Sequence, residues 1–213
     1  MKPIVCYVTD RKALGATDPA GSLLARIRAA MGAGADWVQI RERDMPAREL
    51  LALTKGAIGV RHGAAHVLVN DRLDVAVAAG AAGVHLGGAS VTAGEVVRWL
   101  REQNALAEFS VGVSCHSLEE ARAAEDAGAS YVFFGPIFDT PSKKSYGPPQ
   151  GIAKLAEVCA AVRIPVIAIG GVSEENAMDC VHAGAAGIAA IRMFQESRAA
   201  ETLKRAIVKL HGG

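Results

Sequence analysis

One phrase returns four times along the chain: AGADWVQI at 33–40, AGAAGVHL at 79–86, AGASYVFF at 127–134 and AGAAGIAA at 183–190. Each copy passes from an apolar helix tail, through a glycine suited to a helix C-terminus, into a short apolar run. A run without polar alternation fits a strand covered on both faces. The spacing is about that of two strand–helix units, so further strands are expected between the copies. IVCYV at 4–8, HVLV at 66–69, SVGVS at 110–114 and PVIAI at 165–169 fill those places and bring the strands to eight.

The segments between strands carry helical periodicity and start signals. Ser117 precedes Glu119 and Glu120 in HSLEEARAAEDAG, and Ser173 precedes Glu174 and Glu175 in SEENAMDCVHAG. Alternating units of this kind predict an α/β fold: a single parallel eight-stranded (β/α)8 TIM barrel over residues 1–213, one domain. A doubly wound open sheet is the alternative. No linker, low-complexity run or break in composition argues for a second domain.

The formal net charge is +1, from 23 basic and 22 acidic residues. That balance supplies no global field for nucleic acid or an anionic membrane, so any affinity for anions has to be local. The four cysteines are scattered singly, without the close pairs of zinc or redox motifs. Three lie in apolar runs and read as small core residues, which points to a reducing compartment. The apolar part of MKPIVCYVTD is too short for a secretory leader, and no run of about 20 apolar residues is present to span a membrane. A soluble, cytoplasmic chain is expected, with a homo-oligomer as a candidate assembly.

In such a barrel, chemistry belongs where strands exit into their following loops. The second exit, VQIRERD, sets Gln39, Arg41 and Arg43 at alternate positions, which on a strand share a side. The third, LVNDRLD, offers Asn70 and Asp71 as oxygen ligands or a helix cap. At the fifth, Ser114 and His116 precede a helix that Ser117 caps most simply; His116 is a general acid or base by its near-neutral titration, or a plain surface residue. The sixth, GPIFDTPSKKSYGPPQG at 135–151, crowds Thr140, Ser142, Lys143 and Lys144 into a loop longer than the usual connector of about 2–6 residues. The seventh, AIGGVSEEN, lets the backbone of Gly170 and Gly171 approach a ligand at a helix start, a setting that suits phosphate. The eighth places Ile191 and Arg192 beside them, with a forked guanidinium available.

Two anion-binding zones follow. One is the glycine pair with Arg192. The other gathers Arg41, Arg43, Lys143, Thr140 and Ser142, with Asp71 available to hold a divalent cation beside a diphosphate. A substrate pair carrying one monophosphate and one diphosphate fills both.

The stretches YVTDR, VQIRERD, LVNDRLDVAVAAGAAGVHLG, VGVSCHSLEEA, GPIF-x-T-x-S-K and IPVIAIGGV, in that order, resemble the thiamine phosphate synthase family and its sister, the thiazole tautomerases. The resemblance implies an enzyme that joins the diphosphate ester of hydroxymethylpyrimidine to a thiazole phosphate, giving thiamine phosphate and pyrophosphate with Mg2+ assisting. Departure of pyrophosphate leaves a pyrimidine cation that the thiazole nitrogen captures, and cations around the diphosphate stabilise the leaving group. Gln39, Arg41, Arg43, Asn70, Thr140, Ser142 and Lys143 then line the pyrimidine and diphosphate region. Asp71 binds magnesium, and Gly171 with its neighbours holds the thiazole phosphate. Lys143, Ser114 and His116 are the catalytic candidates.

The chain also departs from the family pattern. Where synthases carry HLGQ-x-D, with the Asp as second magnesium ligand, this chain reads HLGGASV, with Gly88 and Ser90. The lysine expected in QIREK is Arg43, the Asp that often follows the loop lysines is Ser145, and Arg192 replaces a hydroxyl. Tautomerases also lack the metal carboxylate and use the histidine that matches His116, so tautomerase is the alternative activity. A catalytically idle paralogue that binds thiamine precursors is the non-enzyme alternative. The retained GPIF-x-T-x-S-K loop places the synthase first.

Overall fold

A computed structural model describes residues 2–15, 19–140, 148–195, 205 and 207–211. Strands and helices alternate as expected: β1 (Ile4–Val8), α1 (Pro19–Gly32), β2 (Trp37–Ile40), α2 (Ala47–Gly59), β3 (His66–Asn70), α3 (Leu73–Ala79), β4 (Gly83–Leu86), α4 (Ala93–Glu102), β5 (Ser110–Cys115), α5 (Leu118–Asp126), β6 (Tyr131–Phe134), α6 (Gly151–Ala161), β7 (Val166–Ile169), α7 (Ala177–His182), β8 (Gly187–Ala190) and α8 (Arg192–Gln195). The strands form a closed barrel in sequence order, with parallel pairing of β1 to β2, β2 to β3, β3 to β4, β5 to β6, β6 to β7 and β7 to β8, so the open-sheet alternative falls away. Ile4 N–H donates to Ala186 O at 2.9 Å where the last strand meets the first.

The fourfold phrase is a structural device. Its glycines, Gly34, Gly80, Gly128 and Gly184, all have positive φ. After each, an alanine N–H reaches the carbonyl five residues back: Ala35 to Ala30, Ala81 to Ala76, Ala129 to Ala124 and Ala185 to Cys180. Each glycine N–H reaches three back, which completes a Schellman ending that satisfies the last helical carbonyls. The next residue then locks the coming strand to the preceding one, through Asp36 N–H to Val5 O, Ala82 to Val67, Ser130 to Val111 and Ala186 to Val166. The phrase therefore stops a helix and starts a strand in register.

Gly80 isolates the backbone cost of this device. Its φ is 69° and a Cβ placed there meets nothing within 4 Å. Gly80→Ala is expected to cost about 1 kcal/mol, lowering Tm by about 2–4 °C for a chain of this size. Gly128→Ala should melt lower still, because its Cβ also comes 3.2 Å from Val97 Cγ1. A Gly80→Ala protein that melts with the wild type in a calorimetric scan contradicts this account.

Two local expectations need correction. Ser173 does not open the seventh helix: α7 begins at Ala177, because Ser173 N–H donates to Asn176 Oδ1 and residues 174–176 form a turn first. The second strand ends at Ile40, before Arg41 and Arg43, since Met45 N–H returns to Glu42 O and closes a turn. Strand alternation thus does not orient those arginines.

All four cysteines are free. Burial pushes the Cys115 and Cys180 thiols up to about 12 and Cys159 up to about 11, and Cys6 moves further in the same direction. Among the described residues no helix is long and apolar enough to cross a membrane.

Candidate active site

The chain divides into two compact units, Val5–His85 with Ile191–Gly213, and Met1–Ile4 with Leu86–Ala190.

In the first unit the centre is a chain of side chains from adjacent strands. Gln39 pairs with Leu68 across β2 and β3, and Asn70 closes β3 two residues later. Gln39 Nε2 donates to Asn70 Oδ1 at 2.8 Å, and Asn70 Nδ2 donates to Asp71 Oδ2 at 2.5 Å. Gln39 is 2% exposed, and its Oε1 has no hydrogen-bond partner among the described residues. Asn70 thereby orients the Gln39 amide.

Asp71 sits at φ 62°, in the left-handed region that Asp tolerates better than most residues. Its N–H donates to His85 O, while Arg72 N–H and Leu73 N–H turn back to Asn70 O and Asp71 O. The cap position of α3 is Arg72, so Asp71 is not the helix cap. Its carboxylate lies 3.9 Å from Arg43 Nε, a loose ion pair with the arginine largely exposed. Arg41 is half-buried, and Ile191 and Arg192 follow β8, with Arg192 exposed at the first position of α8.

The same exit is braced by residues that the motif reading passed over. Arg41 N–H donates to Thr9 Oγ1, whose hydroxyl donates to the buried Glu42 carboxylate, and Arg11 bonds both Glu42 and Asp44. Arg11, then Lys12, hold the exposed Asp44 carboxyl well below the usual carboxylate range. A glutamate between two arginines reads as a solvated charge run. Because the strand has ended at Ile40, no strand period marks Glu42 as buried.

In the second unit, His116 Nδ1 bonds Gly135 O, so Nδ1 carries the proton and Nε2 the lone pair of the neutral ring. Its N–H donates to Glu120 Oε2 at 2.6 Å, and Ser117 caps α5 by accepting from Glu120 N–H, as its sequence position suggested. Ser114 lies half-buried in β5 opposite Phe133. With the thiol of neighbouring Cys115 raised by burial, a thiolate nucleophile is absent there at neutral pH.

The exits of β6 and β7 are fused. Ile137 N–H donates to Ile169 O and Phe138 N–H to Gly170 O. A Cβ on Gly170 would fall 2.6 Å from Pro136 Cα, and one on Gly171 would fall 2.6 Å from Asp139 O, so both glycines permit close backbone contact. Pro136 O and Ile137 O then accept from Gln150 and Gly151 N–H, joining the two ends of the long loop. Thr140 is half-buried on its near side; Ser142, Lys143, Lys144 and Ser145 lie outside the described residues.

Ser90 Oγ accepts from Gly87 N–H at 2.8 Å, so the hydroxyl at the missing-carboxylate position braces its own loop. Among the described residues no group of three or more His, Cys, Asp or Glu could hold a metal ion. Asp71 is a single carboxylate, with Asn70 Nδ2 on one oxygen and Arg43 Nε 3.9 Å from that same oxygen. One carboxylate suits magnesium only where substrate oxygens and water complete the shell, not an all-protein cage.

A family profile described as thiamine monophosphate synthase matches residues 5–194. A thiamine-phosphate synthase of Roseiflexus sp. is 41% identical over 189 residues, covering 88% of this chain and 76% of the relative. One from Chlorobium phaeobacteroides is 35% identical over 215 residues, covering 100% of this chain and 98% of the relative. The solved structure of a thiamine phosphate pyrophosphorylase from Pyrococcus furiosus superposes with a TM-score of 0.84 at 28% identity, covering 98% of this chain and 95% of that one.

Proposed function

The chain belongs to the thiamine monophosphate synthase family, and from that premise we propose that it joins the diphosphate ester of hydroxymethylpyrimidine to a thiazole phosphate, releasing pyrophosphate. The observation that carries this reading is Gln39 Oε1. A buried acceptor without a donor costs about 1–3 kcal/mol, and an aminopyrimidine brings the N–H that satisfies it, beside Asn70.

Arg41, Arg43, Lys143, Thr140 and Ser142 then bind the diphosphate, where fixed positive charge and donors favour the leaving group. Gly170, Gly171, Ile191 and Arg192 receive the thiazole phosphate. Asp71 is the residue to hold Mg2+, which when bound offsets the charge growing on the departing diphosphate. Ser114 contributes a hydroxyl near the reacting groups.

His116 supports a second reading. Its ring is held with Nε2 as the basic atom, the arrangement that proton transfer in a thiazole tautomerase requires. Incubation with both phosphorylated precursors and Mg2+, with the thiazole carboxylate phosphate as a parallel substrate, separates the two. The synthase reading expects thiamine phosphate; conversion of the carboxylate alone establishes the tautomerase, and no turnover with tight precursor binding establishes an idle binder.

A further inference from the structure

We propose that Glu42 is a positioning residue for the diphosphate-binding arginines, an inference that rests on the reading of Arg41 and Arg43 given above. Because β2 ends at Ile40, no sheet ladder fixes the backbone that carries these two side chains. A side-chain clamp takes the ladder's place. Thr9 Oγ1 accepts from Arg41 N–H at 2.9 Å and donates to Glu42 Oε1 at 2.7 Å. The Glu42 carboxylate, 4% exposed, also accepts from Arg11 N–H at 3.1 and 3.2 Å and from Arg11 Nη1 at 2.9 Å. Arg11 extends its fork to Asp44 at 2.8 and 2.9 Å, on the far side of Arg43.

The turn bearing Arg43 is thus pinned to β1 and its following residues at three points: the Arg41 amide, the Glu42 side chain and the Asp44 side chain. Each carboxylate oxygen of Glu42 is engaged and the side chain is buried, so its charge is held by protein donors. Glu42→Gln keeps the size but puts an NH2 donor against an Arg11 N–H in either orientation of the amide. The turn then shifts, and with it the arginine side chains, although neither arginine has been altered.

The test uses the full-length protein and inorganic pyrophosphate with Mg2+ as the probe, titrated calorimetrically, together with steady-state kinetics for both substrates. Glu42→Gln and Thr9→Val are expected to weaken pyrophosphate binding, and to lower kcat/KM for the pyrimidine diphosphate, on the order of 10- to 100-fold, the scale of a displacement of about 1 Å. KM for the thiazole phosphate should stay at the wild-type value, and Thr9→Ser, which keeps the hydroxyl, should restore pyrophosphate affinity. Should Glu42→Gln fail to fold, the Thr9 pair decides. Variants with lowered Tm but wild-type pyrophosphate affinity and kinetics overturn the proposal and leave Glu42 a structural acid. A wild-type protein that does not bind pyrophosphate removes the diphosphate reading itself, and this inference with it.

Discussion

Gly135→Ala is expected to cost about 3 kcal/mol or more, the upper range for overpacking a tight site, and to abolish turnover. A Cβ at residue 135 falls 1.9 Å from Ile169 O and 2.9 Å from Ile169 C, both backbone atoms of β7 that cannot rotate aside. The β6 exit must therefore separate from β7, breaking Ile137 N–H to Ile169 O and Phe138 N–H to Gly170 O. The Gly135 carbonyl that orients His116 and the backbone approach of Gly170 and Gly171 are lost in the same movement. Denaturant unfolding and the coupling assay check the two parts. A protein as stable as wild type refutes the fused-exit geometry.

Asp71→Asn is expected to reduce kcat/KM on the order of 100-fold or more, the scale of losing one preorganised charge-stabilising group. The substitution is conservative for the fold: Asn accepts the left-handed φ of 62° and its Oδ1 can still receive the bond from Asn70 Nδ2. The loss should be recovered only in part by raising Mg2+. Ser90→Asp should act in the opposite direction and lower the Mg2+ concentration needed for half-maximal rate, because an aspartate can keep the bond from Gly87 N–H and add a second carboxylate. Unchanged rates and Mg2+ dependence in both variants favour metal-free proton transfer at His116, and His116→Asn is then the inactive variant.

The barrel was legible because its repeat encodes a backbone event. Alanine and glycine at 33–34, 79–80, 127–128 and 183–184 mark Schellman endings, and the apolar runs after them fit parallel strands covered on both faces, which the closed strand order assigns to a barrel rather than an open sheet. Which polar residues follow the strands was legible, but their bracing was not. Asp71 reads from sequence as an oxygen ligand or a cap, and only the turn at Asn70–Leu73 shows that Arg72 holds the cap position. Arg41 and Arg43 look like strand alternation, yet the strand has ended and a clamp from the YVTDR stretch, through Thr9, Arg11 and Glu42, sets the turn. The start of α7 was misplaced because Ser173, an ordinary cap residue, spends its N–H on Asn176 and delays the helix by a turn. Long-range pairing of polar side chains leaves no periodic trace, which is why these features needed the structure.

One reaction is expected to move the methylene carbon of the pyrimidine from its diphosphate to the nitrogen of a thiazole phosphate, releasing pyrophosphate. The direct measurement is pyrophosphate release and thiamine phosphate formation, followed together with Mg2+, with and without the thiazole phosphate. One pyrophosphate is expected for each thiamine phosphate formed, with turnover only when both precursors are present. Consumption of a thiazole carboxylate phosphate without any pyrophosphate release, or the absence of thiamine phosphate when both precursors and Mg2+ are supplied, contradicts it.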